Sequence, residues 1–305
     1  MLRLVRLAHR VFSKPCNPDE LKAAVQRACA LRDMLHSPVL VALVGTLGNL
    51  PTPPALYTQI ITELEKPDGS VAEVGALIAR DVGLSAKLMQ MANSSLLGLR
   101  KATTTPTQAL QALGIEATKA LVLVSDLLAR YDPAALHPFS IDDLWDHSRE
   151  IAALAGAIAQ TEGGRTEGAD ARLVGLLHDV GRLTLVSQRP AEYRDVFRRV
   201  RDERVTLIEA ERRVFGATHA DIGAYLLGLW GLPDSVVEAV AWHHEPGACP
   251  AGVFGPLAAL HAAEAILAPE EGGPPDIHFL GRLGKGERLP TWVELRQTAG
   301  AGRGG

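Results

Sequence analysis

The sequence predicts an all-α protein, a multi-helical bundle preceded by an N-terminal helical subdomain. Three observations lead there. From Pro38 onward apolar residues recur at helical spacing with little alternating, strand-like signal. Breaker clusters and N-cap residues punctuate the apolar stretches, and the connections between stretches are short. Short connections between many short helices are those of a compact bundle. At 305 residues the chain has room for one large or two ordinary domains with a proper core.

In chain order, residues 2–12 read as a short basic-apolar helix end and a brief strand-like run, His9-Arg10-Val11-Phe12. Pro18, Asp19 and Glu20 then open an amphipathic helix to about Met34, with the acidic pair at the positive end of its dipole. Leu47-Gly48-Asn49-Leu50-Pro51-Thr52-Pro53-Pro54 is a breaker cluster, and Ala55–Glu65 beyond it has helical periodicity. Ser70-Val71-Ala72-Glu73 has the form of a capping box and starts a helix to about Arg80. Gly83–Ala92 carries Leu84, Leu88 and Met91 on one stripe; Thr105-Pro106 opens Thr107–Leu113, and Ile115–Tyr131 is strongly apolar. A helix from about Asp142 to Gln160 follows, then the run Ala171–Leu177, which ends in His178-Asp179-Val180-Gly181 where it leaves the core. Thr218 and Asp221 have the spacing of an N-cap and its return partner, so a helix spans Thr218–Leu227. The helix after Pro233 finishes at His243-His244 ahead of Pro246, and the last core helix carries His261 and Glu264.

Composition narrows the function classes. Apolar content of 47% with 22% charged residues is that of a soluble globular chain. The net charge of −4 gives no reason to expect nucleic acid or an anionic membrane as partner. The arginines at 194, 198, 199, 201 and 204 are balanced by Asp195, Asp202, Glu203 and Glu209 and read as a solvated helix face. Three widely spaced cysteines form neither a disulfide framework nor a zinc motif, no signal-peptide core is present, and the longest apolar runs are too short to span a bilayer. A cytoplasmic protein is expected.

The histidines carry the chemistry. His178 and Asp179 together offer an imidazole nitrogen and up to two carboxylate oxygens, which suits a divalent ion taking mixed N/O ligands. His147 lies on a helix face with Asp143 one turn earlier, His219 in a first helical turn, and His243 and His244 at a helix end. Adjacent helical residues are about 100° apart, so only one of that last pair is expected to face a given ion. His219 is equally readable as part of a helix cap, and His244 and His261 as packing or surface residues; His9, His36, His137 and His278 read as solvent-facing. Several histidines with carboxylates suit Fe, Mn or Zn better than Mg.

Two resemblances add to this. The segment FSKPCNPDELKAAVQRACAL resembles the last strand and helix of a response-regulator receiver domain, with Lys14-Pro15 matching its Lys-Pro pair. Residues 1–36 are therefore read either as a receiver remnant or simply as an N-terminal helix. Without the strands that bear the acidic pocket, no phosphoryl acceptance is expected. The second resemblance is broader. The stretches LPTPPALYTQII, VGALIARDVGLSAKLMQMANSS, QALQALGIEATKALVL, LVGLLHDVGRL and THADIGAYLLGLWGLPDSVVEAVAWHHEP resemble the HDOD family, signalling modules related in fold to HD-domain phosphohydrolases. It covers roughly 43–268, with 43–135 as the N-terminal helical subdomain, 140–268 as the HD-like bundle and 269–305 as a tail with a disordered end.

The resemblance implies a metal-ligand order. His147, His178, Asp179 and Glu264 would form one site, and Asp179, His219 and His243 or His244 a second, with Asp179 bridging and Asp143 as an extra ligand. His178, Asp179 and Arg182 are the catalytic candidates. Arg182 stands where HD-type phosphodiesterases carry a lysine, Glu264 where aspartate is usual, and the Gly-Tyr-Pro signature of the cyclic-dinucleotide enzymes is absent after His243-His244-Glu245. The expectation is a bacterial two-component output module, with a pocket for one or two divalent ions (Fe, Mn or Zn) or a nucleotide, acting by contact with signalling proteins. The alternative is a metal-dependent phosphohydrolase acting on a nucleotide or cyclic dinucleotide.

Overall fold

The structure, a computed structural model, describes residues 18–47, 54–66, 68–93, 103–129, 136, 138–230, 232–250 and 252–300. Among these residues every regular element is helical and no strand occurs. α1 (Pro18–Leu35) and α2 (Pro38–Thr46) lead into α3 (Ala55–Glu65), α4 (Val71–Ile78), α5 (Val82–Ala92), α6 (Pro106–Leu113) and α7 (Ile115–Ala129). The bundle that follows comprises α8 (Ile141–Glu162), α9 (Arg165–Leu177), α10 (Val180–Gln188), α11 (Pro190–Glu203), α12 (Leu207–Phe215), α13 (His219–Leu229), α14 (Asp234–Trp242) and α15 (Pro256–Leu267). The chain closes with α16 (Pro269–Gly272), α17 (Ile277–Arg282) and α18 (Leu289–Gly300).

Local chemistry sets the helix starts. Ser70, Asp81, Thr105 and Ser140 each accept a backbone N–H of their own first turn, satisfying donors that have no intrahelical partner. Thr218 and Asp221 form a full capping box at the head of α13. The arginine face of α11 is an exposed ladder of ion pairs, with Asp195 serving Arg198 and Arg199, and Glu203 serving Arg199.

Two glycines decide how the bundle closes. α9 runs back along α8, and a Cβ on Gly175 would sit 2.4 Å from Ala152 Cα. α10 crosses α13 just as tightly, since a Cβ on Gly181 would come 2.0 Å from the His219 carbonyl oxygen. Buried apolar side chains from Leu31 to Trp292 form one continuous cluster that takes in both the N-terminal helices and the bundle. Trp230 is part of that core, whereas Trp145 is only half-buried under the Lys87 ammonium.

Lys14, Pro15 and the strand-like run lie outside the described residues; α1 itself packs on α13 and α14. The stretch after 268, read from sequence as a tail, folds back as helices as far as Gly300. Glu162 at the end of α8 accepts from Lys285 Nζ at 2.7 Å, Arg288 Nε at 2.7 Å and Trp292 Nε1 at 3.0 Å, and Trp292 is fully buried. Residues 301–305, where the end was expected to be disordered, lie outside the described residues. No single helix among the described residues is long and apolar enough to cross a membrane.

Candidate metal centre

The α9–α10 junction and four further helices meet at one point in the bundle. His178 closes α9 and Asp179 precedes α10, and the two are buried at this junction, not emerging from the core as the sequence pattern had indicated. α10 continues directly through Gly181, so the glycine marks the α13 crossing instead of a helix exit. His147 comes from α8, His219 from the first turn of α13, His243 from the end of α14 and Glu264 from α15. His178, Asp179, His219, His243 and Glu264 are all buried; His147 keeps 20% of its side chain exposed.

Backbone partners fix how the rings point. His178 Nδ1–H donates to the Gly175 carbonyl at 2.8 Å, and His243 Nδ1–H to the Val240 carbonyl at 2.7 Å. Both rings therefore present a bare Nε2 lone pair inward. His219 is oriented from behind by Glu211, whose Oε2 accepts from both its backbone N–H and its Nδ1–H at 2.8 Å. Asp179 sits between two groups of donors. Its Oδ2 is 3.7 Å from His147 Nε2 and 3.6 Å from His178 Nε2, and its Oδ1 is 3.1 Å from His219 Nε2. Glu264 lies opposite, 3.7 Å from His243 Nε2 and His244 Nε2 and 3.8 Å from His178 Nε2.

The electrostatics follow from burial and these neighbours. Burial pushes His178 down to about 4 in spite of Asp179, and holds His243 and His244 well below the usual imidazole range. Burial would lower His219 too, but the Glu211 and Asp179 carboxylates outweigh it and bring it up to about 10. Asp179 is kept well below the ordinary carboxylate value by Arg182, His178 and His219 against its own burial. Glu264 goes the other way: burial, then Asp179 and Glu271, push it well above and favour its protonated form.

The residues present fit a metal. Both Glu264 oxygens and His243 Nε2 are buried without a hydrogen-bond partner, a costly state that a cation relieves. His178 Nε2 and His147 Nε2 lie 3.3 Å apart, close to the about 3.0–3.5 Å between donors that share an ion at bond lengths of 2.0–2.2 Å. His147, His178 and Asp179 form one compact triplet of donors, and His219, His243 and His244 another.

Against the sequence reading, the structure brings together His147, His178, Asp179, His219, His243, Glu264 and, unexpectedly, His244. His243 caps α14 with helical backbone angles, yet the two rings lie 3.9 Å apart with His244 Nε2 3.0 Å from His219 Nε2, so both side chains reach the cluster. Asp143 is not brought in. It is exposed in the first turn of α8, where its N–H donates to Ser140. Arg182 is there, with Nη1 donating to Asp179 Oδ2 at 2.7 Å and to Glu271 Oε2 at 2.8 Å. Of the remaining histidines, His36 and His278 are exposed as expected, while His9 and His137 lie outside the described residues. Sequence reasoning missed Glu271 and Glu211. Glu211 accepts from Tyr193 Oη at 2.7 Å as well as from His219 and is fully buried. Its signal was present, because it occupies the inward stripe of α12 one turn after Leu207 and Ile208.

Comparison with known proteins agrees with this architecture. The sequence profile of the HDOD domain matches residues 50–246, and the chain belongs to that family. The fold is shared with an HDOD domain protein of Geobacter sulfurreducens (24% identity, TM-score 0.64, covering 90% of this chain and 98% of that one). It is shared with a Shewanella amazonensis protein provisionally named a metal-dependent phosphohydrolase (20%, TM-score 0.58, 88% and 91%). A Marinobacter aquaeolei protein provisionally named for signal transduction shares it too (23%, TM-score 0.62, 90% and 65%). Among curated sequences, the chain is 26% identical over 256 residues to an uncharacterised Treponema pallidum protein, of which the match covers 45%. The chain thus spans less than half of that relative's length.

Proposed function

We propose that this chain is a bacterial signal-transduction module whose HDOD bundle is held in its working shape by a divalent metal centre, and that it acts by contact with signalling proteins. The observation that carries the reading is the meeting of imidazole and carboxylate donors from five helices at one buried point, with both Glu264 oxygens and His243 Nε2 left without hydrogen-bond partners. His147, His178, Asp179 and Glu264 would hold one ion, and Asp179, His219, His243 and His244 a second, with Asp179 offering one oxygen to each. A divalent pair supplies charge neutralisation and Lewis acidity there. The protein's own groups prepare for it. Burial keeps His178, His243 and His244 neutral and ready to ligate, while Glu264 and His219 give up protons on ligation. Loading the centre thereby joins α8, α9, α13, α14 and α15, which is how occupancy would control the surface.

A second reading, metal-dependent phosphohydrolase, is favoured by Arg182, whose guanidinium stands beside Asp179 with 11% of its side chain exposed at the mouth of the centre. There it can hold a phosphate oxygen. The test is metal content by mass spectrometry on protein purified without chelator or tag metal, beside a His178→Ala, Asp179→Ala variant. About one to two equivalents in the wild type, lost in the variant, supports the centre. No metal, even after incubation with Mn and Fe, overturns both readings. Metal-dependent hydrolysis of bis(p-nitrophenyl) phosphate or a cyclic dinucleotide, absent from the variant, selects the enzyme; a loaded protein without turnover selects the module.

A further inference from the structure

α16 is a single helical turn directly after α15, bounded by Pro269 and by Gly273, whose φ of 90° ends it in the left-handed region. It brings Glu271 to the side of the centre on which His147 and Arg182 keep some exposure. Glu271 Oε2 accepts from Arg182 Nη1 at 2.8 Å, and the same nitrogen donates to Asp179 Oδ2 at 2.7 Å, so one guanidinium nitrogen is shared between two carboxylates. Donor atoms of Glu271, Glu264 and His147 also lie within 4.8 Å of one another. Glu264, the middle member, is 3% exposed and neither of its oxygens has a hydrogen-bond partner. Glu271 remains 23% exposed, so it borders solvent and has room to turn.

We propose that Glu271 is a further ligand of this centre, serving the ion on the His147 side, and that this ion and Arg182 compete for its carboxylate. The inference rests on the metal-centre reading. In the metal-free arrangement Arg182 neutralises Glu271. When Glu271 turns onto the ion, Arg182 loses one partner and directs an N–H toward the mouth, where an oxyanion such as phosphate would meet it. The mouth is thus closed by a carboxylate when empty and offers a cation when loaded.

The test is calorimetric titration of the stripped, full chain with MnCl2, with the Mn electron paramagnetic resonance signal as second readout. Each variant is first checked for wild-type helix content. Glu271→Gln is expected to weaken one Mn-binding step by on the order of 10-fold or more. Glu271→Asp keeps the charge but withdraws the oxygens by about 1.5 Å, and is expected to weaken it likewise. Exposed Glu270→Gln leaves it unchanged, and Arg182→Gln tightens it by freeing Glu271. Wild-type affinity in Glu271→Gln, or in Glu271→Asp alone, overturns the assignment while leaving the centre intact, the latter because it would show an effect of charge at a distance. Parallel weakening by Glu271→Gln and Arg182→Gln overturns it as well, since Glu271 would then act only by holding Arg182. A wild type that binds no Mn removes the centre itself and this ligand with it.

Discussion

Removing the Glu211 carboxylate should cost this fold more than any other single polar change near the centre. Glu211 is fully buried and accepts three hydrogen bonds: from Tyr193 Oη at 2.7 Å and from His219 N–H and Nδ1–H at 2.8 Å. Alanine leaves three buried donors facing a small void, each unpaired donor being worth about 1–3 kcal/mol. Water entry and relaxation recover part of this, so the net cost is taken as about 3–5 kcal/mol, the range seen when one partner of a buried charged pair is removed. At roughly 2–4 °C per kcal/mol for a chain of this size, the midpoint falls by about 6–20 °C. The assay is thermal and urea unfolding in EDTA, which keeps both proteins metal-free. Tyr193→Phe is the control, because it deletes one donor and leaves Glu211 its other two; it should cost about 1 kcal/mol. If Glu211→Ala lost no more than Tyr193→Phe, Glu211 would not be the support for His219 described above.

Three further outcomes are expected. Gly181→Ala forces a Cβ to within 2.0 Å of the His219 carbonyl, so it should cost about 1–3 kcal/mol by overpacking and lower bound metal by parting Asp179 from His219. Glu162 is held below its ordinary value of 4.5 because Lys285, Arg288 and Trp292 outweigh its burial. Its folded pKa being depressed, the stabilisation it gives is present above that ordinary value and is lost as pH falls through the lower folded one. Protection factors in α17 and α18, taken relative to the intrinsic exchange rate at each pH, should therefore fall as the solution is acidified, and Glu162→Gln should show low protection already at neutral pH, with the acid step gone. Asp143→Asn should leave metal content unchanged and cost only about 0.3–1 kcal/mol from the helix dipole; lost metal would return Asp143 to the ligand set.

The sequence made the helices legible because their starts are chemical. Ser70, Thr105 and Thr218 announce their caps, and Ala55–Glu65 appears with its expected bounds. His147, His178, Asp179, His219, His243 and Glu264 were legible because each is a polar residue at an apolar helix end or stripe. What escaped depends on where helices stop and on what meets across the bundle. His244 lies against His243 and meets His219 from across the bundle, a contact that spacing along α14 does not reveal. Glu271 belongs to no periodic run and reaches Arg182 from 89 positions away in the chain. Asp143 shared a helix face with His147 by spacing, but it lies in the exposed first turn of α8, where that face has not yet met the bundle. The folding back of α17 and α18 hangs on Glu162, an acidic residue no local pattern distinguishes from a solvated one.

His261 gives the centre a listener. Its Nδ1–H donates to the His243 carbonyl at 2.7 Å, its Nε2 accepts the Asp276 N–H at 2.8 Å, and Asp276 in turn caps α17 through the Phe279 N–H at 2.8 Å. Burial lowers the His261 pKa, which keeps this relay neutral with one donor and one acceptor. The backbone of a residue at the centre is thereby strung to the first turn of an outer helix, on which Ile277 is 53% exposed. A displacement of the His243 carbonyl has one short route outward: through the His261 ring to the Asp276 amide, and so to the point where α17 begins.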